Sequence, residues 1–224
     1  MRNTIWFDTP DGVRIIGDYV LPEDDILAGA VLLHMMPSTR ESFRGFQDML
    51  SQCGVASIAI DLRGHGESTL QKGVEIDYQN FSDAQHQQSI ADVIAAAEYL
   101  KQYANLQSNQ LCVVGASIGA NLALAYQVAN PAVSLGVLLS PGMDYRGVMI
   151  QPLLSRLHNE QRLVLASSRG DAYSYEAISA IAKQRNRNTQ SIVCEGNEHG
   201  TNLFLDPETH HQLVQEICDW ARSL

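Results

Sequence analysis

Basic charge is in short supply in this chain. Fifteen lysines and arginines stand against 25 aspartates and glutamates, giving a formal net charge of -10. A general nucleic-acid-binding surface needs clustered Lys and Arg, so that class of partner is not expected. No apolar run is long enough to span a membrane, and Met1 to Asp8 lacks the apolar stretch of a signal peptide. A cytoplasmic protein without a membrane partner is the expectation. The four cysteines, Cys53, Cys112, Cys194 and Cys218, have no C-x-x-C spacing and lie in apolar segments, so buried, reduced thiols are expected. No H-E-x-x-H or comparable ligand spacing occurs, so neither metal nor cofactor is expected. Repeats, low-complexity tracts and linkers are missing too, and 224 residues suit a single domain spanning 1–224.

What is present reads as alternating strands and helices. Thr4 to Asp8 and Val13 to Val20 are strand-like and flank the turn signal Thr9-Pro10-Asp11-Gly12, an antiparallel opening hairpin. Gly29 to Met35 and Val55 to Ile60 are continuous apolar runs, as strands buried on both faces require. Leu111 to Ala116, Val133 to Leu139, Leu163 to Ser167 and Ser191 to Cys194 continue the series. Ser38-x-x-Glu41 suggests a capped helix from near Thr39 to Gly54. Ser82-x-x-Gln85 suggests a long helix to about Tyr103, burying Ile90, Val93, Ile94, Ala97 and Leu100. Helices are expected from Ser117 to Ala129, from Ser174 to Arg185, and after Asp206-Pro207, where Leu213, Val214, Ile217, Trp220 and Ala221 share the buried side. The pattern predicts an α/β fold: a mostly parallel central sheet with an antiparallel N-terminal hairpin and helices on both faces. Sites in such folds lie at the C-terminal ends of the strands.

The stretch Leu111-Cys112-Val113-Val114-Gly115-Ala116-Ser117-Ile118-Gly119 runs from a strand through G-x-S-x-G into a small-residue helix, the layout of a nucleophile elbow. Small flanking residues are needed because strand and helix meet at a sharp angle. Ser117 is the candidate nucleophile, and the N–H of Ile118 at the helix start is a candidate oxyanion donor. A serine hydroxyl needs a base, and imidazole has a suitable pKa. His199, in the loop Asn197-Glu198-His199-Gly200-Thr201 after a strand, is the candidate. His86, His158, His210 and His211 read as surface residues, and His34 and His65 as structural ones. Asp171 lies between serine and histidine in the chain and is the candidate carboxylate. Asp144 is its rival, and either aspartate has the alternative of capping a helix. The second oxyanion donor falls to the backbone of Met36, since Pro37 has no N–H. The Met35 and Met36 side chains are either core or an apolar wall for substrate.

With these parts, the chain resembles the α/β-hydrolase superfamily over nearly its whole length, and within it the small bacterial esterases that are dienelactone-hydrolase-like or lysophospholipase-like. The resemblance rests on Leu32-Leu33-His34, on Asp61-Leu62-Arg63-Gly64-His65-Gly66-Glu67-Ser68, on the elbow, and on the order Asp171 then His199. It departs from the family where His34-Met35 replaces the usual His-Gly, and from dienelactone hydrolases in having serine rather than cysteine at the elbow. Only Pro141 to Gln161 stands where the family inserts its lid, so no large cap is expected. The resemblance implies a serine hydrolase of small or short-chain carboxylic esters, working through an acyl-enzyme and a Ser117–His199–Asp171 triad. Thioesters or amides on the same triad are alternatives, as is a non-catalytic binding module. Oligomeric state is left open.

Overall fold

The structure, a computed structural model, describes residues 2–185 and 187–224. It opens with β1 (Arg2–Asp8) and β2 (Val13–Val20), paired antiparallel. Thr9 Oγ1 accepts the Val13 N–H at 2.9 Å, and Gly12 turns the chain at φ +84°. β3 (Ala28–Leu33) leads through a 3-10 turn to α1 (Arg44–Ser51) and β4 (Val55–Ile60). A small hairpin, β5 (Leu70–Gln71) and β6 (Val74–Glu75), precedes α2 (Asp83–Gln87) and α3 (Ile90–Ala104). β7 (Leu111–Ala116) runs into α4 (Ile118–Ala129), and β8 (Leu135–Leu139) follows. Then come a second hairpin, β9 (Asp144–Tyr145) and β10 (Val148–Met149), and the one-turn α5 (Gln151–Leu154). β11 (Arg162–Ser168), α6 (Ala172–Gln184), β12 (Thr189–Cys194) and α7 (Pro207–Arg222) complete the chain.

The main sheet has the order β12-β11-β8-β7-β3-β4-β2-β5-β6, with β1 also on β2. The six strands from β12 to β4 are parallel, and the N-terminal hairpin adds the antiparallel part. β3, β4, β7 and β8 are buried along their whole length, which explains their unbroken apolar sequences. Successive side chains of β7 go to opposite faces. Leu111 and Val113 join the core under α3, α4 and α6, whereas Cys112, Val114 and Ala116 join the one under α1 and α7.

Several expectations need correction. The Ser82–Gln85 capping box forms, but it caps only α2, and α3 starts afresh at Ile90. Ile94 is 45% exposed, because the inward face of α3 is set by Asp92, Val93, Ala96, Ala97 and Leu100. The Ser38–Glu41 box does not form; the chain makes the 3-10 turn after Thr39 without a side-chain cap. His86 is buried, edge-on to Phe81 at 5.4 Å, rather than a surface residue. His210 is half-buried, lying against Phe204 at 4.8 Å. Cys53 and Cys218 form a disulfide instead of two thiols. They are 165 residues apart, but α1 and α7 pack on the same face and bring their Cα atoms to 5.8 Å, within bridging range. Cys112, buried, and Cys194, half-buried, remain free.

Candidate active site

At the end of β7 the chain turns at Ser117 with φ 55° and ψ -120°. A non-glycine residue held in this region costs on the order of 1–3 kcal/mol, so the surroundings must impose it. They do so through backbone. Ser117 N–H donates to the Leu139 carbonyl at 2.9 Å, and its own carbonyl accepts from Ala120 N–H at 2.9 Å. The flanking glycines are steric requirements. A Cβ on Gly115 would sit 2.0 Å from the Gly119 carbonyl oxygen, and one on Gly119 would sit 2.4 Å from that of Leu33. Strand, helix and the exit of β3 therefore meet in van der Waals contact around Ser117, which is 8% exposed. Ile118 is the first residue of α4, where an N–H has no intrahelical acceptor.

The loop after β3 carries the His34-Met35-Met36-Pro37 segment. Two directional hydrogen bonds fix the buried His34 ring: Nδ1 lies 2.8 Å from the Met35 carbonyl, and Nε2 is 3.0 Å from Leu62 N–H. A carbonyl only accepts and an amide N–H only donates, so the ring is neutral with its proton on Nδ1. Burial pushes its pKa down to about 4, in keeping with that. His34 thus joins the β3 loop to the loop after β4 and holds Met35 and Met36, both half-buried, above the strand end. The Met36–Pro37 peptide is cis. The Met35 sulfur lies against Gly200, next to His199.

The charged loop Asp61 to Ser68 is a clamp, not a reactive element. Fully buried Asp61 accepts Arg40 N–H at 2.8 Å, pairs with the Arg40 guanidinium, and accepts Glu67 N–H at 2.9 Å. Arg63 is held by buried Asp92 at 2.8 Å and by Asp11 at 2.8 Å. His65 stacks on Tyr78 with ring centroids 3.8 Å apart and meets His34 edge-on at 4.9 Å.

His199 follows β12 and precedes a 3-10 turn, Gly200–Leu205. Its Nδ1 is 2.6 Å from Asp171 Oδ2. Asp171 stands at the N-terminus of α6, yet its side chain makes no capping hydrogen bond there. Asp144, the rival, is exposed, and its carboxylate accepts Gly147 N–H at 2.7 Å inside its own hairpin. The loops are tied together beneath the ring. Gly170 N–H donates to Gly196 O at 2.8 Å, Ser168 Oγ to Glu198 O at 2.7 Å, and Gly200 N–H to Ser140 Oγ at 2.9 Å. Ser140 directly follows Leu139, the acceptor for Ser117, so the histidine loop and the elbow grip the same strand end. Asp171, His199 and Ser117 follow β11, β12 and β7, with β8 between β11 and β7, so all three rise from C-terminal ends of parallel strands on one edge of the sheet.

One residue here has no sequence signal. Tyr145, in β9, puts its ring edge-on to His199 at 6.4 Å and its hydroxyl 3.5 Å from the Ser140 carbonyl and 3.4 Å from Ser174 Oγ. A lone tyrosine in a polar loop has no spacing that marks it. Among the described residues no group of His, Cys, Asp and Glu is arranged to hold a metal ion, and no helix is long and apolar enough to cross a membrane.

The family profile described as serine aminopeptidase, S33, matches residues 26–213. A search of curated proteins finds no match. Among solved structures, an esterase from Pyrococcus furiosus is similar over 100% of this chain and 91% of its own, at 18% identity and a TM-score of 0.78. A dienelactone hydrolase from Anabaena variabilis covers 98% of this chain and 96% of its own at 17% identity and TM-score 0.73. A thermostable carboxyl esterase from Bacillus coagulans covers 99% and 98% at 12% identity and TM-score 0.78. At these identities the likeness establishes the fold.

Proposed function

Since the chain belongs to the S33 family of α/β hydrolases, we propose that it is a serine hydrolase of small or short-chain carboxylic esters. Ser117 attacks the carbonyl while His199 takes its proton, and Asp171 fixes the imidazole tautomer and stabilises the imidazolium. The N–H groups of Ile118 and Met36 receive the oxyanion, each contributing about 2.7–4 kcal/mol if they act as single oxyanion donors do elsewhere. Water then hydrolyses the acyl-enzyme with His199 again as base. No cofactor takes part.

The observation that carries this reading is the 2.6 Å bond from His199 to an aspartate that declines to cap its own helix, beside a serine on a strained elbow. Substrate size follows from residues 141–161, which hold only a four-residue hairpin ladder and one helical turn. We take the chain as a single domain without a large cap, its partner a small ester rather than a nucleic acid or a membrane, working in the cytoplasm. The relatives of known structure named as esterases support oxygen esters, whereas the family's description as an aminopeptidase keeps amides as the second reading.

The test is a p-nitrophenyl ester series from acetate to palmitate with wild type and Ser117→Ala. Turnover peaking at short chains and abolished in the variant is expected. Wild-type inactivity throughout the series, with a fluorophosphonate still labelling Ser117, would move the assignment to thioesters or amides; no labelling at all would leave a binding module.

A further inference from the structure

Both peptide neighbours of His199 are held by fully buried serine side chains. On one side Ser168, the last residue of β11, donates its hydroxyl to the Glu198 carbonyl at 2.7 Å. On the other, Gly200 N–H donates at 2.9 Å to the hydroxyl oxygen of Ser140, the residue after β8. β8 and β11 pair directly in the sheet, so the two serines straddle the histidine from adjacent strand ends. Ser140 also sits at φ +47°, where glycine is at ease and other residues are disfavoured. A serine kept in that conformation points to a use for its hydroxyl. Its backbone is fixed as well: its N–H donates to the Ala166 carbonyl at 2.7 Å, and its carbonyl accepts the Tyr145 hydroxyl at 3.5 Å. The hairpin that carries Tyr145 is fastened in turn. Buried Asn121 of α4 donates to the carbonyls of Gly142 at 2.8 Å and Val148 at 2.7 Å, and the Tyr173 hydroxyl of α6 accepts Asp144 N–H at 2.9 Å.

From this geometry we infer that Ser140 and Ser168 are positioning residues for His199: together they fix the backbone from which the imidazole projects. Asp171 orients the ring through Nδ1 at 2.6 Å. That bond sets the tautomer and the ring plane, but not where the loop carries the histidine. The serine pair supplies the rest, one hydroxyl accepting from the peptide after the histidine and the other donating to the peptide before it. A base that takes a proton in the transition state depends on such placement, because a small displacement of the reacting groups costs rate rather than binding. The inference rests on the serine-hydrolase reading of the site.

Ser140→Ala, Ser140→Gly and Ser168→Ala test it, with Ser167→Ala for comparison. Ser167 is as buried as its neighbour Ser168, but among the described residues its hydroxyl has no hydrogen-bond partner. The readouts are the second-order rate of Ser117 labelling by a fluorophosphonate, and kcat and KM for p-nitrophenyl acetate, alongside the unfolding midpoint. Loss of one neutral hydrogen bond predicts labelling and kcat lowered about five- to tenfold in each of the first three variants, with KM within about twofold. Ser140→Gly should lose as much kcat as Ser140→Ala while unfolding at a higher temperature, since glycine relieves the backbone. Ser167→Ala should keep the wild-type kcat. Labelling at the wild-type rate in Ser140→Ala and Ser168→Ala, whatever their midpoints, would overturn the positioning role and leave the hydrolase reading standing. So would a loss confined to Ser140→Gly, or an equal loss in Ser167→Ala. Wild type that fails to label at Ser117 would overturn both.

Discussion

Asp171 is the first residue before α6 and directs its carboxylate away from that helix, to His199 Nδ1 at 2.6 Å. A side chain able to stabilise its own helix end by about 1 kcal/mol is thus committed to a histidine 28 residues away. Asp144, equally well placed in sequence, gives its carboxylate to Gly147 instead. Asp171→Asn should lower kcat on the order of 10⁴-fold with the fold intact, since an amide allows the wrong tautomer. Asp144→Asn should leave kcat within about twofold, as its carboxylate has no contact with the histidine. Steady-state kinetics of the two variants on one p-nitrophenyl ester decides between them; equal losses would remove the distinction.

Gly119→Ala should be worse than its size suggests. The added methyl meets the Leu33 and His34 carbonyls, which are backbone and cannot rotate away. Overpacking of this kind costs about 1–3 kcal/mol, and relief requires the β3 exit to move. The His34-Met35-Met36 segment would move with it, so kcat should fall even at temperatures where the variant is fully folded. Thermal unfolding and kinetics on the same sample measure both effects.

Acid should loosen the junction of the β3 and β4 loops. Burial pushes His34 and His65 down to about 4, and for His65 the neighbouring His34 adds to it. Between about pH 4 and 6.5 the unfolded chain therefore binds protons that the folded one refuses. Their stabilisation is complete above 6.5 and is lost as pH falls toward 4, on the order of 3 kcal/mol for one such histidine. Asp92, raised by burial to about 6 despite Arg63, acts in the opposite sense over the same range. His65→Phe, which keeps the stack on Tyr78, isolates the histidine contribution. Urea unfolding from pH 7 to 4.5 should show a shallower loss of stability in this variant than in wild type.

Reduction of Cys53–Cys218 should destabilise the protein without silencing it at room temperature. The bridge closes a loop of 165 residues, for which chain entropy gives about 5 kcal/mol as an upper figure. Cys53→Ser with Cys218→Ser should lower the melting temperature by about 5–15 °C. Calorimetry of this variant, and of wild type with and without dithiothreitol, checks it. In a reducing cytoplasm such a bridge is rarely maintained, so alkylation of thiols in freshly lysed cells also tests the proposed location.

The strands were legible because a doubly covered sheet demands unbroken apolar runs, and β3, β4, β7 and β8 have them. The elbow was legible because its steric demands fall on local residues, Gly115 and Gly119. What escaped the sequence depends on distant partners. Nothing near Cys53 points to Cys218, and Ile94 is turned outward because Asp92 turns inward to Arg63. The β5–β6 hairpin has strands of two residues each, too short for an alternating pattern, although Lys72 and Gly73, both at positive φ, make the tight turn that such a hairpin needs. Tyr145 acquires its place only when Asn121 and Tyr173 fasten its hairpin.

The disulfide also closes a mechanical ring. From Met35 the chain runs through α1 to Cys53, crosses to Cys218, and returns along α7 to Gly200 and His199, where the Met35 sulfur meets Gly200 again. Phe43, Phe46, Phe204 and His210 fill its interior, with Phe46 stacked on Phe204 at 4.8 Å. The loop that would cradle an oxyanion and the loop that carries the imidazole are therefore two corners of one braced frame. Neither can swing outward alone: a displacement of one is transmitted through the aromatic filling and the sulfur bridge to the other. The spacing across Ser117 is thereby kept by a truss on the far side of the sheet.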